Sequence, residues 1–358
     1  MNDGRSEQWV KSERGDRMAG APAAAPWQGG GQPGSAQQPA RRRRRRWPRV
    51  LLGVVVVLAV LIVGGYFYLD SRLNREKALV DYAGRPADTP GTNWLIVGSD
   101  SRAGLSKQQR RDYATGSAAG RRTDSMMLMH TGAGGTTLVS LPRDSYVPIP
   151  GHGSNKLNAA FAFGGPQLLV RTVEQATGVH IDHYAEIGFG GFVGVVDAVG
   201  GVRMCIKQPM KDRKAGLNLK KGCQTLNGGE ALGYVRTRAS AGADLDRVAR
   251  QRQFFGALIS KATSPGVLLN PFSSIPMALH ATDNFSVDEG DDLSDLVGLM
   301  WSMKGVNSGD GVTTTVPVGG FGSSPAAGSY LVWDRTKAAQ LFGALKSDTK
   351  VPANVVTR

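Results

Sequence analysis

The feature that most constrains this chain is an apolar run at residues 50–69, VLLGVVVVLAVLIVGGYFYL, which carries no charge over 20 positions. A helix of that length spans about 30 Å, the thickness of the hydrocarbon core of a bilayer. Helices buried in soluble domains are seldom so long or so uniformly apolar. The run therefore predicts one transmembrane helix, with Tyr66, Phe67 and Tyr68 as aromatic anchors at one interface.

The net charge of +14 is concentrated ahead of this run. Residues 1–49 hold eleven basic and four acidic residues, including six consecutive arginines at 41–46, and account for half of the excess. By the positive-inside rule the N-terminus is expected in the cytoplasm and residues 70–358 outside it, where nucleic acid is not an expected partner. A cleaved signal peptide is the weaker alternative, because the run is too long and no small-residue cleavage site follows it.

Composition divides the chain further. Residues 1–40 are rich in Gly, Ala, Pro and Gln, so residues 1–49 are expected to be a disordered, basic cytoplasmic tail. Residues 70–91 predict a stalk, helical at first and broken by Pro86 and Pro90. A single extracytoplasmic domain is expected over residues 92–348, followed by a short tail over 349–358.

Within that domain, apolar patterns alternate between strands and helices, which indicates an α/β fold with a mixed sheet covered by helices. NWLIVGSD predicts a buried strand, and residues 125–130 and 136–141 predict a hairpin. Two helical stretches parted by Gly164, Gly165 and Pro166 are expected next. GEALGYVRTR predicts a short helical turn and then a strand, and DLDRVARQRQFFGALISKAT an amphipathic helix that Asp244 could cap.

Charged residues gather at four of these strand ends, where ligand sites of α/β sheets form. Asp100 and Arg102 follow the first strand, and Asp124 opens the next one after Arg122. Arg143 and Asp144 form a third group after a strand. The fourth group combines Arg236 and Arg238, two apart on a predicted strand face, with Arg247 and Arg250, three apart on the amphipathic helix.

This combination favours a diphosphate ligand. The planar guanidinium fork matches phosphate oxygens, and a divalent metal would bridge the carboxylates and the phosphates. Surface ion pairs are the plain alternative for any one arginine, but the repetition at successive strand ends argues against it for the set. The sequence contains no GxSxG, P-loop or HExxH motif, so the predicted site is built from side chains.

The two cysteines, Cys205 and Cys223, both lie in the predicted exterior part. In an oxidising compartment a lone pair of cysteines is expected to form a disulfide. They are too few, and lack the partners, for a zinc site.

The motifs NWLIVGSDSR, GRRTDSMML, LVSLPRDSYVPIPG, KLNAAFAFGG and GEALGYVRTR…DLDRVARQRQF, in this order, resemble those of the LytR-CpsA-Psr family of cell-envelope proteins, in its actinobacterial branch. The resemblance covers about residues 92–348. It implies a three-layer α/β/α sandwich with an apolar cavity for a prenyl chain. It also implies a phosphotransferase that moves a glycopolymer from a polyprenyl-pyrophosphate carrier to peptidoglycan through a phosphodiester bond.

The resemblance also assigns roles to residues. It implies that Asp100 and Asp124 hold Mg²⁺ or Mn²⁺, and that Arg252 departs from a glutamine that the family usually has. The implied catalytic residues are Arg122, Asp124, Arg143, Arg236 and Arg238. The implied substrate-binding residues are Arg102, Arg122, Arg143, Arg236, Arg238, Arg247, Arg250 and Gln251.

Three points stay open at this stage. The general base could be Asp124, Asp144 or Asp246, or the metal could activate the hydroxyl without one. Water could replace the sugar hydroxyl, which would make the protein a polyprenyl-pyrophosphate hydrolase. The site could also belong to a non-catalytic receptor for envelope polyanions.

Overall fold

The computed structural model describes residues 47–102, 104–115, 123–237, 243–307 and 311–357, without the side chains of 243–249 and 307. The disordered tail expected over residues 1–49 lies almost wholly outside these residues. The helices are α1 (Trp47–Asp70), α2 (Lys107–Asp112), α3 (Leu157–Thr177), α4 (Phe189–Ala198), α5 (Gly228–Arg236), α6 (Ala243–Ala262), α7 (Pro265–Leu268), α8 (Pro271–Asn284), α9 (Leu293–Asn307) and α10 (Arg335–Lys346).

The strands follow the same chain order. They are β1 (Asn74–Glu76), β2 (Thr92–Ser99), β3 (Thr123–Gly132), β4 (Gly135–Leu141), β5 (Tyr146–Ile149), β6 (Gly153–Lys156), β7 (His183–Ile187), β8 (Val202–Ile206), β9 (Met210–Asp212), β10 (Leu217–Leu219), β11 (Gly222–Leu226), β12 (Phe285–Asp288), β13 (Val312–Thr315), β14 (Val318–Ser324) and β15 (Gly328–Trp333).

Helix α1 contains the apolar run at residues 50–69. It is 24 residues long, none of its window of highest hydropathy is buried, and by length and composition it could cross a membrane. Among the residues that the structure describes, no packing partner buries a face of this helix, so packing does not explain its apolar composition. It is therefore a candidate membrane span.

Seven strands form the central sheet in the order β1-β12-β7-β2-β3-β4-β13. The pairs β1–β12, β2–β7 and β4–β13 are parallel and the other pairs are antiparallel, so the sheet is mixed, as predicted. The predicted hairpin is β3–β4, which turns at Gly132–Gly135. Four smaller two-stranded ladders lie outside this sheet.

The strands bury alternate residues on the two faces of the sheet, which produces three layers. Leu95, Val97 and Leu128 belong to one core cluster together with residues of α3 and α10. Trp94 and Met127, their sequence neighbours, belong to another cluster with residues of α9. The three-layer sandwich is confirmed.

A third core cluster lies beside the sheet. It is built from α4, α5, α6, α7 and the strands β8, β10 and β11, with Phe254 as its largest fully buried side chain. Cys205 and Cys223 stand opposite each other on the antiparallel strands β8 and β11 and are joined by a disulfide. The disulfide links exposed residues on the outer face of this ladder.

The structure corrects three local predictions. Helix α5 continues to Arg236, so this residue lies on a helix and not on a strand. Asn227 and Glu230 cap its N-terminus reciprocally, and the side chain of Leu232 is buried, which favours a full helix over a single turn. Asp244 lies inside α6, which begins at Ala243, so it is not the cap.

The third correction concerns the expected helical stalk. Residues 74–76 form β1, which pairs in parallel with β12 at the edge of the central sheet. Farther along, the fully buried carboxylate of Glu174 in α3 accepts hydrogen bonds from the Tyr82 hydroxyl at 2.9 Å and the Arg85 Nε at 3.0 Å. This stretch is packed onto the domain because it supplies both a strand and the partners of a buried charge.

The last residues of the chain are packed as well. Val355 is buried in the cluster beneath α3 and α10, and the Thr357 amide donates to the Thr314 Oγ1 at 2.8 Å. Residues expected as a tail thus help to cover the domain.

We expect Glu174→Ala to lower the free energy of unfolding by about 3 kcal/mol, since Arg85 and Tyr82 lose their buried acceptor. Urea unfolding of the detergent-solubilised chain, followed by tryptophan fluorescence, measures this loss. Asp81→Ala is the matched control, because the Asp81 side chain also pairs with Arg85 but is 99% exposed. The control is expected to cost less than about 1 kcal/mol. Equal losses in the two variants would contradict the role of the buried carboxylate.

Candidate active site

A β-bulge places Asp124. Gly98 of β2 pairs with Ser125 of β3, but the next residue, Ser99, pairs with Thr123, so β3 contains one extra residue, Asp124, at this point of the register. The Thr123 hydroxyl donates to the carbonyl oxygens of Gly98 and Ser125, both at 3.1 Å, and holds the bulge. Bulges redirect side chains beside functional sites. Asp124 lines two of the cavities described below.

Strand register brings Arg143 to this carboxylate. Met126 of β3 pairs with Leu141 of β4 in an antiparallel ladder. Asp124, two residues before Met126, therefore lies near Arg143, two residues after Leu141. The Arg143 Nη1 donates to the Asp124 Oδ1 at 2.6 Å, and its Nε donates to the Asp144 Oδ2 at 3.2 Å. The predicted proximity of these two strand ends follows directly from the antiparallel pairing.

Lys156 was not predicted and extends this row of charges. Its Nζ lies 2.9 Å from the Asp144 Oδ1. Asp144 is therefore held between two cations, which occupy both of its oxygens. The spacing between Asp144 and Lys156 gave no signal, because the β5–β6 hairpin brings them together.

Arg236 reaches the same end of the sheet from the last turn of α5. Its Nη1 and Nη2 donate to the carbonyl oxygens of Tyr113 at 2.9 Å and Ala114 at 3.1 Å. Its guanidinium also lies over the ring of Phe189, 4.8 Å from the centroid. The Nη1 and Nη2 groups of Arg236 thus position the chain after α2.

Arg102 holds the next residue of that segment. Its Nε donates to the Thr115 carbonyl oxygen at 2.9 Å. Ala114, whose carbonyl oxygen accepts from Arg236, has a φ of 46°, a left-handed conformation that is unfavourable for alanine. Arg102 and Arg236 therefore stabilise a strained segment in addition to adding positive charge.

The charges of the site act on one another. Burial is the main cause that lowers the pKa of the Arg236 guanidinium below its ordinary value. The charged residues that also act on it are Asp124, Arg102, Asp212 and Asp100. Because arginine stays protonated in proteins, a lowered pKa means that the neighbouring carboxylates do not fully offset the cost of burying its charge. An anionic ligand would offset that cost.

Asp212 is a site residue that the sequence reasoning missed. Its Oδ2 accepts from the Thr237 hydroxyl at 2.7 Å and its Oδ1 from the Lys214 amide at 2.9 Å. It ends β9 within the loop that the disulfide closes, and this loop carried no signal beyond its two cysteines. Asp212 fixes the residue that follows Arg236.

Asp100 and Asp124 offer the hard oxygen ligands that Mg²⁺ and Mn²⁺ prefer. Asp100 follows Ser99 and Asp124 follows Thr123, and Ser99 pairs with Thr123 between β2 and β3. The charges of both carboxylates act on the pKa of Arg236. The donor set therefore fits the predicted metal. Asp100 also lines a cavity of about 490 Å³ with Ser101, Arg102 and the kinked part of α3.

An apolar cavity of about 330 Å³ opens beside these charges. Its polar end is formed by Asp124, Asp212, Lys214 and Arg236. Its apolar wall is formed by Ile187, Phe189, Phe192, Leu232, Val235 and Phe255. A ligand with an anionic head and an apolar chain matches both parts.

Helix α6 contributes Gln251, which is buried. Its Nε2 donates to the Val235 carbonyl oxygen at 3.0 Å and so ties α6 to α5. Gln251 lines the apolar cavity and also the groove next to it. Arg250 lies near Tyr234: burial raises the pKa of this tyrosine and the positive charge of Arg250 opposes the rise.

Several predicted positions lie outside the described residues. These are Arg122 and Arg238, together with the side chains of Arg247 and Asp246. Of the predicted set that is described, Asp100, Arg102, Asp124, Arg143, Arg236 and Gln251 lie at the same end of the sheet or line its cavities.

Known proteins resemble this chain over the same region. The LytR_cpsA_psr family matches residues 70–347. "Probable cell wall biosynthesis protein LcpB" of Corynebacterium glutamicum is 52% identical over 281 residues, which make up 78% of this chain and 66% of that protein. "Polyisoprenyl-teichoic acid--peptidoglycan teichoic acid transferase TagT" of Bacillus subtilis is 35% identical over 222 residues, 60% of this chain and 65% of that protein.

A solved structure, "LytR-Csp2A-Psr enzyme from Actinomyces oris", superposes with a TM-score of 0.61 at 25% identity. The superposition covers 77% of this chain and 96% of that one. The chain spans about two thirds of the length of the two curated relatives it matches.

We expect Arg236→Lys to loosen the segment 113–115, because an ammonium group cannot donate to two carbonyl oxygens in the geometry of the guanidinium fork. Amide hydrogen exchange of the peptide that contains these residues should accelerate roughly tenfold. Arg252→Lys is the control, since Arg252 is also partly buried and its pKa is also lowered by burial. Unchanged exchange in Arg236→Lys would show that the segment does not depend on Arg236.

Proposed function

Because the chain belongs to the LytR_cpsA_psr family, we propose that it is a membrane-anchored phosphotransferase of the cell envelope. It would move a glycopolymer from a polyprenyl-pyrophosphate carrier to peptidoglycan through a phosphodiester bond. The observation that carries the proposal is the apolar cavity with Asp124, Asp212, Lys214 and Arg236 at its polar end. A prenyl chain fits the apolar wall and a pyrophosphate fits the charged end.

The charged groups have separate tasks in this proposal. Asp100 and Asp124 would hold Mg²⁺ or Mn²⁺, which would neutralise pyrophosphate charge when bound. Arg143 orients Asp124 through its 2.6 Å hydrogen bond. Arg236, partly buried and with its charge incompletely offset, attracts the phosphate oxygens and stabilises the charge that develops on the leaving group.

The reaction exchanges one phosphorus–oxygen bond for another. A sugar hydroxyl of the acceptor bonds to the phosphorus that carries the glycopolymer, and the bond from this phosphorus to the bridging oxygen breaks. Polyprenyl phosphate leaves, and the hydroxyl proton passes to a base or to water. Asp144 is disfavoured as this base, because Arg143 and Lys156 engage both of its oxygens.

The proposed topology rests on α1 and on the residues just after it. The basic run at 41–46 favours a cytoplasmic N-terminus, which leaves the domain outside the cytoplasm beside the lipid-linked donor. The Arg72 guanidinium donates through its Nη2 to the Asp283 Oδ2 at 2.8 Å. The Asn74 Nδ2 donates to the Asp283 carbonyl oxygen at 2.9 Å, so the chain after α1 is fixed to the end of α8.

The test is a transfer assay with the full-length chain in detergent, a lipid-linked glycopolymer as donor and peptidoglycan fragments as acceptor. We expect a phosphodiester product that disappears when the divalent metal is chelated and returns with Mg²⁺. Asp124→Asn should lower turnover roughly 10²–10³-fold, because it removes the negative charge that would hold the metal and that pairs with Arg143.

Asp81→Asn is the control, since this carboxylate is fully exposed, and it should leave turnover unchanged. Release of free phosphate without a phosphodiester product would identify a hydrolase instead. Donor binding without turnover, insensitive to Asp124→Asn, would identify a receptor.

A further inference from the structure

Asp124 stands between two cavities. The apolar cavity shares Asp124, Ser125 and Gln251 with a groove of about 190 Å³ that runs past Arg143 and Asp144. In a phosphoryl transfer the attacking and leaving oxygens lie roughly in line across the phosphorus. If the donor occupies the apolar cavity, the groove is where the nucleophile would approach.

The outer wall of the groove is the β14–β15 hairpin, which lies outside the central sheet. Phe321 of β14 lines the groove and is 77% exposed. A large aromatic side chain held in water at the edge of a cavity is a feature of binding surfaces. Its ring offers an apolar face to a ligand in the groove.

Tyr330 of β15 forms a second, fixed part of this wall. Its ring stacks on Tyr146 with the centroids 4.0 Å apart. Gly322 pairs with Tyr330 across the hairpin, and a Cβ on Gly322 would lie 2.5 Å from the tyrosine ring. Glycine at this position therefore allows the ring to lie where it does.

The hairpin is attached to the segment that carries the charged residues. The Leu331 amide donates to the Asp144 carbonyl oxygen at 2.9 Å, and the Trp333 Nε1 donates to the Ser145 Oγ at 2.8 Å. The aromatic wall thus keeps a defined position relative to Arg143 and Asp144.

The groove combines aromatic faces with the polar groups of Asp144, Arg143 and Ser329. A ligand with an apolar ring face and a rim of hydroxyl groups can contact both kinds of group, whereas a purely apolar ligand would use only the aromatic faces. Sugar rings have this chemistry.

We propose that the groove bounded by Phe321, Tyr330 and Asp144 is a saccharide subsite that holds the acceptor glycan with a hydroxyl directed to Asp124. This assignment rests on the proposed function, because it takes the apolar cavity to hold the donor. Phe321 supplies the platform for the ring, and Tyr330 limits the depth to which the ring enters.

The experiment uses the full-length chain in detergent and a soluble disaccharide-peptide fragment of peptidoglycan. Phe321→Ala should raise the KM for this acceptor roughly tenfold, since burying a phenylalanine ring contributes about one order of magnitude in affinity. The KM for the donor should not change. Phe321→Trp should restore the acceptor KM, because it keeps an aromatic face.

Val332→Ala is the control from the same hairpin. Val332 is an exposed residue of β15 that does not line the groove, so this variant should leave the acceptor KM unchanged. An unchanged acceptor KM in Phe321→Ala would overturn the proposal. A rise in the donor KM alone would also overturn it, because the groove would then hold the glycan of the donor.

A binding titration without donor separates this proposal from the proposed function. The fragment should bind the unaltered chain and should bind Phe321→Ala roughly tenfold more weakly. That result stands even if no phosphodiester product forms, in which case the proposed function fails and the saccharide subsite remains. Equal binding by both chains contradicts the subsite.

Discussion

The hydrogen bond between Arg143 and Asp124 is the interaction on which the rest of the site depends. It joins the end of β4 to the start of β3, and the bulge at Asp124 turns this carboxylate out of the ladder. One extra residue in β3 therefore decides where a charge lies relative to both cavities. In a regular ladder without the bulge, strand alternation would direct the side chain of Asp124 to a different face of the sheet.

Hydrogen bonds to the backbone give Arg102 and Arg236 a second role beyond ligand binding. Arg102 and Arg236 each use donors on the chain segment 113–115, so their orientation is set before any ligand arrives. The positive charge that burial leaves incompletely offset at Arg236 is then available at a fixed place. Preorganised charge of this kind stabilises a transition state without the cost of reorientation.

Much of this could be predicted from sequence because it depends on local patterns. Apolar runs that end in turns predicted β2, β3 and β4, and charges at their ends predicted Asp100, Asp124 and Arg143. The prediction that Arg236 lies at the site on a strand gave the wrong element. VRTR alternates like a strand, but α5, capped at Asn227, continues to Arg236. Lys156 and Asp212 were missed because hairpin and loop contacts, which have no fixed spacing, bring them in.

The same distinction explains why the sequence of the residues after α1 predicts a stalk. Their sequence is polar, but their burial comes from partners far along the chain: Glu174 for Tyr82 and Arg85, and Asp283 for Arg72. A stalk would let the domain move away from the bilayer. A segment that is paired into the sheet edge and fixed to α8 instead holds the domain close to the end of α1, so in the proposed topology the domain stays beside the membrane from which its ligand comes.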